Sequence, residues 1–163
     1  MTLWAIDGPT TSTLASIAVP SLASARSASL ASLVRGDGTL RLAIVSELGC
    51  EDQSIHLALV DYAPTSKHFS LVSDTTVAET GSGFQWHPTI AWVSARKRWL
   101  VSWLGAGPHA AARFMGEDGE PGSQAFQLAA SALAASSLSN GHVALIANGT
   151  TGKQVLDSPA RCP

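Results

Sequence analysis

Four of the five tryptophans in this chain, Trp86, Trp92, Trp99 and Trp103, fall within eighteen consecutive positions. Aromatic rings at that density can stack on sugars or anchor a protein partner. Trp99, Val101 and Trp103 alternate, however, and alternation puts them on one face of a strand, so they are expected in a core. Trp86 follows Gly81-Ser-Gly-Phe-Gln and is expected in a loop that reaches one rim, where it can meet a ligand. The predicted ligand-binding rim carries Trp86, His87 and the one dense basic run, Arg96-Lys97-Arg98.

Other residues capable of chemistry do not assemble into a motif. The five histidines, His56, His68, His87, His109 and His142, are scattered, and none stands at the i,i+4 spacing of a helical zinc site. Glycoside hydrolysis needs two carboxylates at a fixed separation across a bond, and the spacing of Glu47, Glu51, Asp52, Asp61, Asp74 and Glu79 selects no pair. Serines are plentiful, yet no Gly-x-Ser-x-Gly elbow occurs and neither cysteine lies in a nucleophile motif. Arg35-Gly36-Asp37 spells the tripeptide that integrins recognise, but Gly36 and Gly38 are what a strand-to-strand turn requires, and turn chemistry is the reading adopted. Asn148-Gly149-Thr150 fits a glycosylation acceptor, which matters only in a eukaryotic secretory context. No catalytic residue, metal-ligand set or cofactor is therefore predicted.

The elements that must hold these residues read as strands. With 163 residues, 45% hydrophobic and only 13% charged, the chain has ample material for a core and is not disordered. A net charge of −2 argues against a nucleic-acid binder, and no apolar run approaches the length of a membrane span. The opening Met-Thr-Leu-Trp has neither the basic nor the apolar region of a signal peptide. Leu40 to Leu48 and Ser54 to Tyr62 are apolar on both faces, which belongs inside stacked sheets, and short turns join them into an antiparallel meander.

A similar order of elements then recurs. Ala28 to Val34 followed by Leu40 to Leu48 matches Pro88 to Val93 followed by Trp99 to Leu104, and a weaker copy runs through Ala132 to Ala135 and His142 to Ala147. Each continues into a third strand, and the first two into a fourth, His68 to Ala78 and Ala125 to Ser131. The whole of 1–163 is thus expected to be one β-repeat domain, with a partial unit at 1–20 and units at about 28–78, 87–131 and 132–158. The predicted fold is all-β, built of antiparallel four-stranded meanders in a β-propeller-like arrangement. Residues 21–34 and 125–138 also fit helical spacing and are rich in Ala, so an α+β fold stays open, as does a β-sandwich. The units supply thirteen strands against the sixteen or more of a closed propeller, so self-association or completion by the rest of a longer chain is expected.

The stretch Pro88-Thr-Ile-Ala-Trp92, six residues, Trp99-Leu-Val-Ser-Trp103, then Ala112-Arg113-Phe114 and the turn Glu117-Asp118-Gly119, resembles a repeat of large secreted or surface-anchored bacterial proteins. The first unit departs from it in lacking the strand Trp pair, and the last lacks both Trp residues and the Ala-Arg step. The resemblance implies a propeller-like array at the cell surface or outside the cell, defined by core positions rather than by a catalytic set. The function expected is a non-catalytic binding or scaffolding module for a protein or glycan ligand. The alternative is a glycan-directed hydrolase or lyase with carboxylates in a central pocket. In an exported chain Cys50 and Cys162 could pair as a disulfide, or both could remain free thiols.

Overall fold

Apolar runs of strand length, broken by Gly, Pro and Asp, give this chain strands and almost no helix. The computed structural model describes residues 2–6, 13–48, 54–78, 86–105, 109–128, 133–138, 141, 143–149 and 152–158. Within them, β1 (Thr2–Ile6) and β2 (Thr13–Ala18) form a two-stranded sheet. A second sheet contains β3 (Ala25–Val34), β4 (Leu40–Leu48), β5 (Ile55–Ala63) and β6 (His68–Ala78). The third contains β7 (Trp86–Val93), β8 (Arg98–Leu104), β9 (Ala110–Met115) and β10 (Phe126–Leu128). The fourth contains β11 (Leu133–Ser137), β12 (Val143–Gly149) and β13 (Gly152–Ser158). All pairings are antiparallel, and strands adjacent in sequence are adjacent in their sheet. The protein is all-β, with two four-stranded antiparallel meanders at its centre.

Residues 21–34 and 125–138, whose composition also suits helix, contribute β3, β10 and β11, with a 3-10 turn at Pro20–Leu22. Tertiary burial overrides the helix preference of Ala here, because alternate residues of β3 have a sheet to rest on. Burial alternates along the whole of β3, and Ala31 and Leu33 pack on the core shared with the third sheet. Of the strand expected over Ala125 to Ser131, Phe126–Leu128 is observed as β10 and residues 129–131 lie outside the described residues; β7 begins two residues earlier than expected, so that Trp86 belongs to a strand rather than to a loop.

The sheets stack in chain order. β3 lies against β7, β7 against β11, and β2 against β6. Between the second and third sheets, Ala43, Val45, Leu57, Leu59 and Val77 meet Ile90, Trp99, Val101, Trp103 and Met115 in the largest core. Trp99 and Trp103 are buried there, as their alternation predicts. The other face of the second sheet, through Ile44, Ala58, Val60 and Phe69, receives Val19 and Leu22 from the segment after β2. The other face of the third sheet buries Ala91, Val93, Leu100 and Ala112. β4, β5 and β8 are thus covered on both faces, which explains their continuous apolar runs. Among the described residues, no helix is long and apolar enough to cross a membrane.

Candidate functional site

Three turns from two sheets converge on one rim of the stack. The β3–β4 turn is closed by Arg35 and Thr39, whose backbone groups bond at 2.9 Å, and by the Thr39 amide, which donates to Asp37 Oδ1 at 2.9 Å. That donation holds the Asp37 carboxyl below the usual carboxylate range. The β7–β8 turn is a 3-10 turn at Ser94–Arg96 that ends on Lys97 in the left-handed region, at φ 50°. The β9–β10 connection turns through Gly116 to Glu120, and at Gly119 the backbone takes φ +93°. A Cβ at Gly119 would come within 2.5 Å of Ser73 Oγ, so glycine allows this turn to seat on the second sheet.

A charged lock fixes that seating. Arg41, buried at 6% exposure, bonds Asp61 in fork geometry, Nε to Oδ1 at 2.7 Å and Nη2 to Oδ2 at 2.8 Å. Its Nη1 donates to the Glu117 carbonyl at 2.8 Å, across the junction between the sheets. Hydrogen bonding to Arg41 holds the Asp61 carboxyl below the usual range, and Asp61 in turn raises Arg41. Arg35 joins the lock through Asp61 Oδ2 at 3.3 Å and Glu117 Oε1 at 3.6 Å. The arginine of the Arg-Gly-Asp tripeptide is therefore engaged within the protein, and its aspartate serves the turn.

Beside this lock an open cleft of about 380 Å³ is lined by Leu33, Val34, Arg35, Gly36, Trp92, Ser94, Lys97 and Glu117. Leu33, Val34 and the half-buried Trp92 make its apolar part, and Trp92 is held edge-tilted against Trp99 at a centroid distance of 4.7 Å. Arg35 and Glu117 offset one another. Lys97 is exposed at its turn tip, and no hydrogen-bond or ion-pair partner for its ammonium occurs among the described residues. The lining thus carries one unbalanced positive charge next to an apolar wall and the Ser94 hydroxyl. Such a surface can hold an acidic group attached to an apolar or ring-bearing body.

The residues nominated from sequence divide between two rims. Trp86 pairs with Leu104 at one end of β7, whereas Arg98 pairs with Val93 at the other. Seven residue steps along the strand separate the two ends by roughly 23 Å. Trp86 and His87 therefore do not share a rim with Arg96, Lys97 and Arg98, which corrects the single rim expected from sequence. His87 is an exposed bulge residue at φ 51°, and its N–H donates to Glu47 Oε2 at 3.3 Å. Arg96 lies over the Phe114 ring at 5.1 Å, and Arg98 donates to the Gly122 carbonyl at 2.6 Å. Arg96 thus covers a ring of β9 and Arg98 braces the turn that follows it, and among the described lining residues Lys97 is the one of the five nominated. Sequence reasoning missed Leu33, Val34, Arg35, Ser94 and Glu117 as cleft residues. Their signal is the pair of turns Arg35-Gly36-Asp37 and Glu117-Asp118-Gly119, flagged for shape and not for what the two enclose.

The remaining candidates are dispersed. Glu47 is buried and accepts from Ser27, Asp61 is locked by Arg41, and Glu51, Asp52 and Glu79 lie outside the described residues. Ser54 Oγ stands 3.0 Å from His56 Nε2, and His56 Nδ1 is 3.8 Å from Asp74 Oδ1. Ser54 is buried at 9% exposure on the rim opposite the cleft, and Asp74 also accepts the Ser21 N–H at 3.0 Å. Asp74 thus ties the 3-10 turn at Pro20–Leu22 to the second sheet, and Ser54 and His56 stand beside it. His68 opens β6 of the second sheet and His109 precedes β9 of the third, both exposed, and among the described residues no group of three or more His, Cys, Asp and Glu could hold a metal ion. His142, Cys50 and Cys162 lie outside the described residues, so the disulfide expectation falls there too. Comparison with protein-family models, with curated proteins and with solved structures gives no match to this chain, and the cleft is read on its geometry alone.

Proposed function

We propose that this chain is a non-catalytic binding or scaffolding module of an extracytoplasmic bacterial protein, with its β-meanders arranged in propeller fashion. The rim cleft between β3 and β7 is its ligand site. The ligand class is a protein segment or glycan that offers an acidic group beside an apolar or ring face. One observation carries this reading: among the described residues the cleft lining combines Trp92, Leu33 and Val34 with a Lys97 that has no ion-pair partner, and Glu117 is the one carboxylate of that lining. A hydrolase of the two-carboxylate kind needs a second acid across the bond, so the lining favours binding over glycan cleavage. The propeller arrangement draws support from the succession of first strands β3, β7 and β11 along one side of the stack.

The test uses arrays of acidic and neutral glycans and peptides with the intact chain, followed by amide chemical-shift mapping of each hit. An acidic hit that perturbs Ser94, Lys97 and Gly36, and whose affinity falls about tenfold or more in Lys97→Glu, is the expected result. Turnover of any array member, or hits that perturb only the opposite rim around His87, would overturn the reading.

A further inference from the structure

Two junctions inside the stack repeat one contact: the first strand of a sheet stands on the first strand of the next, β3 on β7 and β7 on β11. Among the described residues, no first strand stands on the outer face of β3. That face presents Arg26, Ala28, Leu30, Ser32 and Val34, with Leu30 at 56% and Val34 at 72% exposure, while the alternate residues turn inward. The exposed stripe continues an interface that already exists. On the same side of the second sheet, Val19 and Leu22 cover Ile44, Ala58, Val60 and Phe69, and β2 stands on β6. Coverage therefore reaches β4, β5, β6 and the first residue of β3, Ala25, and leaves the rest of the outer face of β3 bare.

We infer that the outer face of β3 docks the β11–β13 end of a second copy of this chain. β11 rests one side on β7, and among the described residues no sheet stands on its other side. A stack of similar units has two ends that are complementary to each other, because every internal junction joins the same two kinds of face. Seating β11 of one copy on β3 of the next continues the order β3, β7, β11 without a new kind of contact. The small residues Ala28 and Ser32 on either side of Leu30 let a facing sheet approach to packing distance. The contact is head-to-tail, so it either closes a ring or extends a chain. It rests on the order of the stack and not on the cleft, so the two proposals stand or fall separately.

Sedimentation velocity across the micromolar range tests it, comparing the intact chain with Leu30→Glu/Ser32→Glu, a double variant that leaves every cleft residue in place. Wild type is expected to associate with rising concentration, and the double variant to weaken that association at least ~100-fold with its melting temperature kept. Should the double variant melt early, Leu30→Ser carries the same comparison in a milder form. A fluorescent double variant mixed with unlabelled wild type should still sediment with it, because its own β11–β13 end remains intact. A wild type that stays monomeric throughout would overturn the inference. So would association that survives both variants, or a labelled variant that fails to join wild type, which would mean that two β3 faces meet symmetrically.

Discussion

The junction between the second and third sheets and the outer face of β3 are both surfaces of the same four-stranded meander, yet they could hardly differ more. At the junction, Leu57, Leu59, Trp99, Val101 and Trp103 are excluded from water, and Arg41 spans the rim to hold the two sheets in register. On the outer face of β3, Leu30 and Val34 stand in solvent. The residues of β3 do not account for the contrast, since Leu30 and Leu33 are the same amino acid on the same strand. What differs is whether a neighbouring sheet is there. Stability in such a stack lives in the junctions between units, and each strand is only as buried as its neighbours make it.

Perturbing the junction should produce the largest effects. Trp103→Ala removes an indole that is 3% exposed in the main core and is expected to cost about 3–5 kcal/mol in denaturant unfolding. A loss below ~1 kcal/mol would mean that the junction is not the principal core. Arg41→Ala strips the fork partner from Asp61, leaving it Arg35 at 3.3 Å, and releases the Glu117 carbonyl, for an expected loss of about 3 kcal/mol. The same pair sets an acid dependence. Asp61 is lowered in the folded protein, so its contribution is complete above the ordinary Asp value of about 3.9 and is lost as pH falls through its lowered folded value. Melting curves from neutral to strongly acidic pH should therefore show an acid-sensitive component in wild type that is reduced in Asp61→Asn.

The two faces of β3 offer the finer comparison. Leu33→Ala, on the core side, is expected to cost roughly 1–2 kcal/mol, and Leu30→Ala at concentrations where the chain is monomeric less than ~0.5 kcal/mol. Equal losses would remove the distinction between covered and bare faces.

Much of the fold is legible in the sequence wherever a strand is buried on both sides. Leu40–Leu48 and the alternation of Trp99, Val101 and Trp103 declare themselves, because burial on two faces leaves a run with few polar interruptions. β3 is harder, since Ala, Ser and Leu at these positions suit a helix equally well, and only its likeness to the later segment Pro88 to Val93 identifies it as a strand. The site is the least legible part. Whether Trp86 and Lys97 share a rim depends on strand direction and on the bulge at His87, neither of which leaves a compositional mark. The cleft is assembled from turns some eighty residues apart in sequence, and the roles of Arg96 and Arg98 follow from a ring and a carbonyl in a neighbouring strand and turn.

The order of the sheets is the central claim, the docking of β11 on β3 rests on it, and contacts between methyl groups measure it directly. Ile90 and Ala91 are consecutive residues of β7 that face opposite sides of the third sheet, the first in the core shared with Leu57 and Leu59, the second in the core on the far side. In a methyl-labelled sample, nuclear Overhauser effects should connect Ile90 to the methyl groups of the second sheet and should be missing between those groups and Ala91 or Val93. Contacts from Ala91 or Val93 to Leu57 or Leu59, or none from Ile90, would contradict a stack in which β7 lies between β3 and β11.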